Sequence, residues 1–154
     1  MRPRGKVSGL PINPILIVDD FEPDAKLLEL ALSRAGLVNP VFFAETGQMC
    51  IMYLGGQGKY GDRILFPLPG ILMLDLRMPD ISGFDVLEWC HAQQHLSDLF
   101  IVVLSGFHEL RDLNRAYRLG AKTFLSKPVS AADISEVVRT YPGPWQVSAR
   151  PRGI

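Results

Sequence analysis

Three carboxylates, one hydroxyl and one ammonium stand where they could work together. Asp19 and Asp20 follow the apolar run Ile15–Val18, Asp75 follows Ile71–Leu74, Ser105 follows Phe100–Leu104, and Lys127 follows Thr123–Leu125 by two positions. Crowded carboxylates repel one another, and a hard divalent cation relieves that repulsion. Mg²⁺ takes one or two carboxylates, waters and phosphate oxygens in preference to an all-protein cage. One carboxylate could then attack phosphorus and form an aspartyl phosphate. A cation, a lysine and a hydroxyl around the transferring group would offset the charge on its oxygens. In this scheme Asp75 is the nucleophile, Asp19 and Asp20 carry the metal, Lys127 is the protein's cation and Ser105 the hydroxyl.

Those residues need a scaffold that gathers strand ends. The four-residue run Ile15–Val18 is continuously apolar and rich in branched side chains, as in a strand buried on both faces. Val41–Ala44, Ile71–Leu74, Phe100–Leu104 and Thr123–Leu125 read as four more strands. Helical spacing joins them. Pro23 suits a first turn, Leu27, Leu28, Ala31, Leu32 and Ala35 follow, and Gly36 stops that helix. Thr46 can cap a helix through Leu54, with Met49, Met52 and Tyr53 on its apolar side. Phe84–His95 and Glu109–Leu119 read as helices, the second ended by Gly120. Ser130, or Asp133 one turn later, opens a last helix to about Tyr141, which Pro142-Gly143-Pro144 ends. Such alternation implies right-handed crossovers and a parallel α/β sheet covered on both faces. In these sheets ligands bind at the carboxyl ends of the strands, where the polar residues lie.

Taken together, Asp19-Asp20, the run Asp75-Leu76-Arg77-Met78-Pro79 with Gly83, Ser105-Gly106, and Lys122 through Lys127-Pro128 resemble the receiver domain of two-component response regulators. The spacings of 30 positions from Asp75 to Ser105 and 52 to Lys127 fit that family. The resemblance implies a flavodoxin-like, doubly wound five-stranded parallel sheet of order 2-1-3-4-5 over residues 14–141. Residues 1–13 would form a flexible N-terminal arm and 142–154 a C-terminal tail. It also implies phosphorylation of Asp75 by a sensor histidine kinase with Mg²⁺, and completion of the metal shell by the backbone carbonyl of Arg77. Ser105 and Phe124 would be the switch pair, and the Lys127–Pro128 bond would be cis. Met78-Pro79 and Gly83 would shape the loop after the acceptor. The stretch Tyr53–Gly70 is longer than compact receivers need. In this it resembles small single-domain regulators paired with phytochrome-type histidine kinases. Ser105 in place of the commoner threonine, Phe124 in place of tyrosine, and Arg77 and Phe107 beside the site depart from the usual pattern.

The chain has 154 residues and a formal net charge of zero. That neutrality is a cancellation: residues 15–138 hold 10 basic and 16 acidic side chains, whereas Arg2, Arg4, Lys6, Arg139, Arg150 and Arg152 lie at the ends. The acidic body suits a Mg²⁺ site, and the basic ends read as solvated tails. No nucleic-acid or membrane partner is expected. The apolar runs are far shorter than the roughly 20 residues a spanning helix needs, and no export signal is visible. Cytoplasmic location fits the two cysteines, Cys50 and Cys90, which read as buried thiols. His91, His95 and His108 read as surface groups. Trp89 packs on the sheet or forms part of a docking face. Gly55–Gly70 reads as a surface loop, because Tyr53 and Tyr60 stand where a phosphate-binding loop needs Gly and Ser or Thr.

The expectation is thus a stand-alone phosphorylation switch, not an enzyme with an external substrate, although it would catalyse its own phosphorylation and dephosphorylation. Only 27 residues follow Lys127, so output would pass through an unknown partner protein. A homodimer through the last helix and strand is compatible with this. Two rivals stand beside it. A Mg²⁺-dependent phosphatase forming an aspartyl phosphate would need Asp-x-Asp after the first strand, where this chain has Asp19-Asp20-Phe21. A receiver-like binding module would keep the fold but never be phosphorylated.

Overall fold

The computed structural model describes residues 6–7, 10–106 and 110–148. Five parallel strands, β1 (Ile15–Val18), β2 (Val41–Ala44), β3 (Ile71–Asp75), β4 (Phe100–Ser105) and β5 (Thr123–Ser126), form one sheet of order β2-β1-β3-β4-β5. The intervening helices are α1 (Glu22–Arg34), α2 (Gly47–Leu54), α3 (Gly83–His91), α4 (Leu110–Arg118) and α5 (Ala131–Thr140). This is the flavodoxin-like, doubly wound architecture expected. A separate short antiparallel ladder pairs Lys6–Val7 with Leu10–Pro11.

Side-chain alternation explains why the strands are apolar throughout. Leu16, Val18, Leu72, Leu74, Ile101 and Val103 face the layer containing α2, α3 and α4. Ile15, Ile17, Ile71, Met73, Val102 and Leu104 face α1 and α5. Both faces are therefore core, as a parallel sheet between helices requires.

The helices begin where local chemistry starts them. The Thr46 hydroxyl accepts from the Met49 N–H at 3.0 Å. Ser82 with Asp85, and Ser130 with Asp133, form reciprocal capping boxes on α3 and α5. Beyond α1 the chain turns through Gly36 at φ +88°, a left-handed conformation that glycine adopts without a Cβ penalty. Two helix expectations need correction. Leu27 lies on the solvent side of α1, where Ala25, Leu28, Ala31 and Leu32 form the buried stripe. The helix expected over Phe84–His95 ends at His91, and Gln94–Leu96 forms a separate 3₁₀ turn that buries Leu96.

The segment Gly55–Gly70 is more than a surface loop. Tyr60 is buried, with its ring centroid 5.0 Å from those of both Tyr53 and Phe66. Arg63 donates to the carbonyls of Tyr53 at 2.9 Å, Leu54 at 3.1 Å and Phe66 at 3.3 Å, which caps the end of α2 and ties the segment to it. Ile64, Leu65 and Leu68 remain exposed. Beyond α5, Trp145 is buried and meets Phe100 edge-on at 5.8 Å. Asn13 and Asn39 donate to the Pro144 carbonyl, and Gln146 N–H donates to Asn39 Oδ1 at 2.7 Å. Within residues 142–148, expected in a tail, Trp145 is thus buried in the α1/α5 layer, whereas Pro142, Gly143 and Val147 are exposed. Trp89 is half-buried in the α2/α3 layer, and Cys50 and Cys90 are buried free thiols. Burial pushes the Cys90 thiol up to about 12. Arg2, Arg4, Phe107, His108, Arg150 and Arg152 lie outside the described residues.

Candidate functional site

Strand order places the ends of β1 and β3 side by side, with Val18 opposite Leu74 and Asp75 opposite Leu104 of β4. Asp19 and Asp75 both sit one step beyond the apolar core yet remain buried, whereas Asp20 is exposed. Ligand-capable oxygens of Asp19, Asp20 and Asp75 all lie within 4.8 Å of one another. Each buried carboxylate is oriented by its own loop. Asp19 Oδ1 accepts from the Phe21 N–H and Asp75 Oδ1 from the Arg77 N–H, both at 3.0 Å.

Lys127 closes the cluster from β5. Its ammonium donates to Asp19 Oδ2 at 2.7 Å, Asp75 Oδ2 at 2.9 Å and Asp24 Oδ2 at 3.1 Å. The Lys127 N–H also bonds the Ser105 carbonyl at 3.0 Å, which continues the β4–β5 ladder into the site. The Lys127–Pro128 bond is cis. Three carboxylates thus face one ammonium. Burial works against the charge on Lys127, but Asp19, Asp75 and Asp24 outweigh it and hold its pKa above the ordinary value. Asp75 goes the other way from a simple ion pair. Its burial raises the carboxyl pKa, Asp19 adds to the rise, and the Arg77 N–H and the shared Lys127 ammonium only partly offset it.

The acceptor loop is held tightly behind the site. A Cβ on Gly83 would come within 2.6 Å of both the Asp75 carbonyl oxygen and the Leu76 Cα, so only glycine lets α3 approach this closely. Asp80 reaches across the loop to accept from the Gly47 and Gln48 N–H groups at the start of α2. Those backbone bonds outweigh the effect of desolvation and hold its carboxyl below the usual range.

Six of the seven residues expected at the site lie at or just beyond the carboxyl ends of the strands, Phe124 lies within its strand, and the seven are not one contact set. Asp19, Asp20, Asp75 and Lys127 converge. Ser105 is buried at the end of β4, one residue past the partner of Asp75. Phe124 lies opposite Val103 on β5 and is half-buried in the α3/α4 layer. Arg77 gives its N–H to Asp75, while its guanidinium meets Asp112 of α4 at 3.3 Å. Asp24 and Asp112 were not anticipated. A carboxylate in the first turn of the helix after Asp19-Asp20 was the available signal for Asp24, and it reads equally well as a favourable charge at a helix start.

A model of the response regulator receiver domain matches residues 15–139. The chain belongs to this family. The receiver is 30% identical over 134 residues to the probable methanogenesis regulatory protein FilR2 of Methanothrix harundinacea, covering 85% of this chain and 82% of that protein. It is 26% identical over 135 residues to response regulator Rcp1 of Synechocystis, covering 88% and 90%. Among solved structures, the bacteriophytochrome response regulator RtBRR superposes with a TM-score of 0.79 at 28% identity, covering 92% of this receiver and 85% of that chain. The bacteriophytochrome response regulator AtBRR gives 0.77 at 30% identity, covering 90% and 99%. The receiver's relatives thus include phytochrome-associated regulators of two-component systems, as the long middle segment suggested. Its acidic cluster is compatible with Mg²⁺. No helix among the described residues is long and apolar enough to cross a membrane.

Proposed function

We propose that this receiver is a phosphorylation switch whose acceptor is Asp75. The single observation that carries this reading is the buried Asp19–Asp75 pair, bridged by Lys127 and opened to solvent beside Asp20. A buried carboxylate held by one ammonium, next to a second and third carboxylate, suits a dication. Asp19, Asp20, Asp75 and the Arg77 carbonyl would hold Mg²⁺, which would offset the charge of an arriving phosphoryl group.

The donor would be a phosphohistidine of a sensor kinase, and the family likeness favours a phytochrome-type one. A carboxylate oxygen of Asp75 forms the new P–O bond as the donor's P–N bond breaks. The P–N electron pair stays on the imidazole, which takes a proton from solvent. Asp75 Oδ1 is fixed by the Arg77 N–H, so the Oδ2 facing Lys127 is the oxygen placed to react, with the ammonium beside it to meet the phosphoryl oxygens. Ser105 and Phe124, on adjacent strands, would carry the change towards α4. The readout would pass through an unknown protein partner in the cytoplasm, with no nucleic-acid or membrane contact; a homodimer through α5 and β5 is compatible with this.

The test is intact mass after incubation with acetyl phosphate and Mg²⁺. Wild type should gain one phosphoryl group, and both Asp75→Asn and chelation of the metal should abolish the gain. An adduct on Asp75→Asn equal to that on wild type would refute the assignment.

A further inference from the structure

We propose that Asp24 is a positioning residue that draws the Lys127 ammonium aside when a divalent cation enters between Asp19 and Asp75. This rests on the metal-binding part of the function proposed above. The problem it addresses is a competition. Asp19 Oδ1 and Asp75 Oδ1 already accept backbone N–H groups, and Lys127 occupies both Oδ2 atoms. A dication using these carboxylates must therefore share them with, or take them from, a like charge.

Of the three partners of Lys127, only Asp24 lies outside the metal-competent cluster. It sits on the far side, on the first turn of α1, with its side chain 36% exposed against 2% for Asp19 and 7% for Asp75. Beside it a cavity of about 20 Å³ opens between Leu27 and Leu28 of α1 and Pro128 and Val129, room for about one water. The ammonium thus has both an alternative partner and space to shift towards it. Without Asp24 an ammonium displaced by the cation would have no carboxylate partner left, so the cation would bind more weakly.

The experiment is a double-mutant cycle read by calorimetric Mg²⁺ titration of the unphosphorylated full chain. Asp24→Asn should weaken Mg²⁺ binding about five-fold, the scale of a partly exposed charge pair, and Asp24→Glu should restore it. In a Lys127→Met background the Asp24→Asn loss should largely vanish, because there is no ammonium to move. An equal loss in both backgrounds would mean that Asp24 acts through its field alone and would overturn the proposal; no loss in either would do the same. A second readout needs no Lys127 variant. The Lys127 ammonium ¹⁵N resonance should stay protected from exchange when Mg²⁺ is added to wild type and lose that protection in Asp24→Asn. Equal protection in both would also overturn it. If wild type binds no Mg²⁺, the metal-site reading itself fails, which is distinct from normal binding that ignores Asp24.

Discussion

Replacing Lys127 by Met should destabilise the receiver in a pH-dependent way. The substitution keeps a long apolar stem but removes the ammonium that bonds two carboxylates that are 4% and 5% exposed. Breaking a buried pair by deleting one partner costs about 3–5 kcal/mol. The Lys127 side chain is 18% exposed, so some solvent screening remains, and about 2–3 kcal/mol at neutral pH is the scaled expectation. For a chain of this length that corresponds to a fall in Tm of roughly 5–10 °C. The sign of the pH dependence follows from Asp75. Its carboxyl is raised in the folded state by burial, and two of the effects that hold the rise down come from Lys127. Deleting Lys127 raises it further. Between the unfolded and folded pKa values the folded state then binds more protons, so stability falls as pH rises through that window and recovers as pH falls. Urea unfolding at pH 7.5 and pH 5.5 measures this. The deficit relative to wild type should shrink at the lower pH, with an unchanged urea slope. A deficit equal at both pH values, or none at pH 7.5, would refute the reasoning that the ammonium neutralises Asp19 and Asp75.

Gly83→Ala should cost about 1–3 kcal/mol, the range for overpacking, because its Cβ would meet backbone atoms of Asp75 and Leu76 at 2.6 Å; chemical denaturation checks this, and acetyl phosphate labelling should slow with it. Arg63→Ala leaves the Tyr53, Leu54 and Phe66 carbonyls without their shared donor. A loss of about 1–3 kcal/mol is expected, with hydrogen exchange rising over residues 55–70 and not at β3. Trp145→Ala should cost about 3–5 kcal/mol. Trp145→Phe should cost less than Trp145→Ala, because it leaves a smaller cavity and the buried indole N–H has no acceptor among the described residues to lose; thermal melts of the two variants check this ordering.

The legible parts of this protein are those that local pattern encodes. Ile15–Val18, Ile71–Leu74 and Phe100–Leu104 announce strands covered on both faces, and the polar residues that follow the first two, Asp19 with Asp20 and Asp75, come together in the acidic cluster. Thr46, Ser130 and Gly36 act within a few residues of themselves, so their capping and turn roles are visible in the chain. What stayed hidden depends on where distant segments land. Asp24 looks like any acidic residue at a helix start until β5 brings Lys127 beside it, 103 positions later. Arg63 looks like a loop cation until it meets the end of α2. Trp145 follows a Pro-Gly-Pro stop and reads as tail, yet it packs on Phe100 while Asn13 and Asn39 bond its neighbours Pro144 and Gln146. The long Gly55–Gly70 segment looked irregular because its order comes from Tyr53, Tyr60 and Phe66 packing on one another, which has no sequence period.

The central claim is that Asp75 is the phosphoacceptor, and locating the phosphoryl group tests it most directly. After labelling with acetyl phosphate and Mg²⁺, hydroxylamine separates an acyl phosphate from a phosphoserine ester, and peptide mapping separates Asp75 from the histidines. The account predicts one hydroxylamine-labile phosphoryl group in the peptide containing Asp75. A group found instead on Ser105, or on His91, His95 or His108, would contradict it.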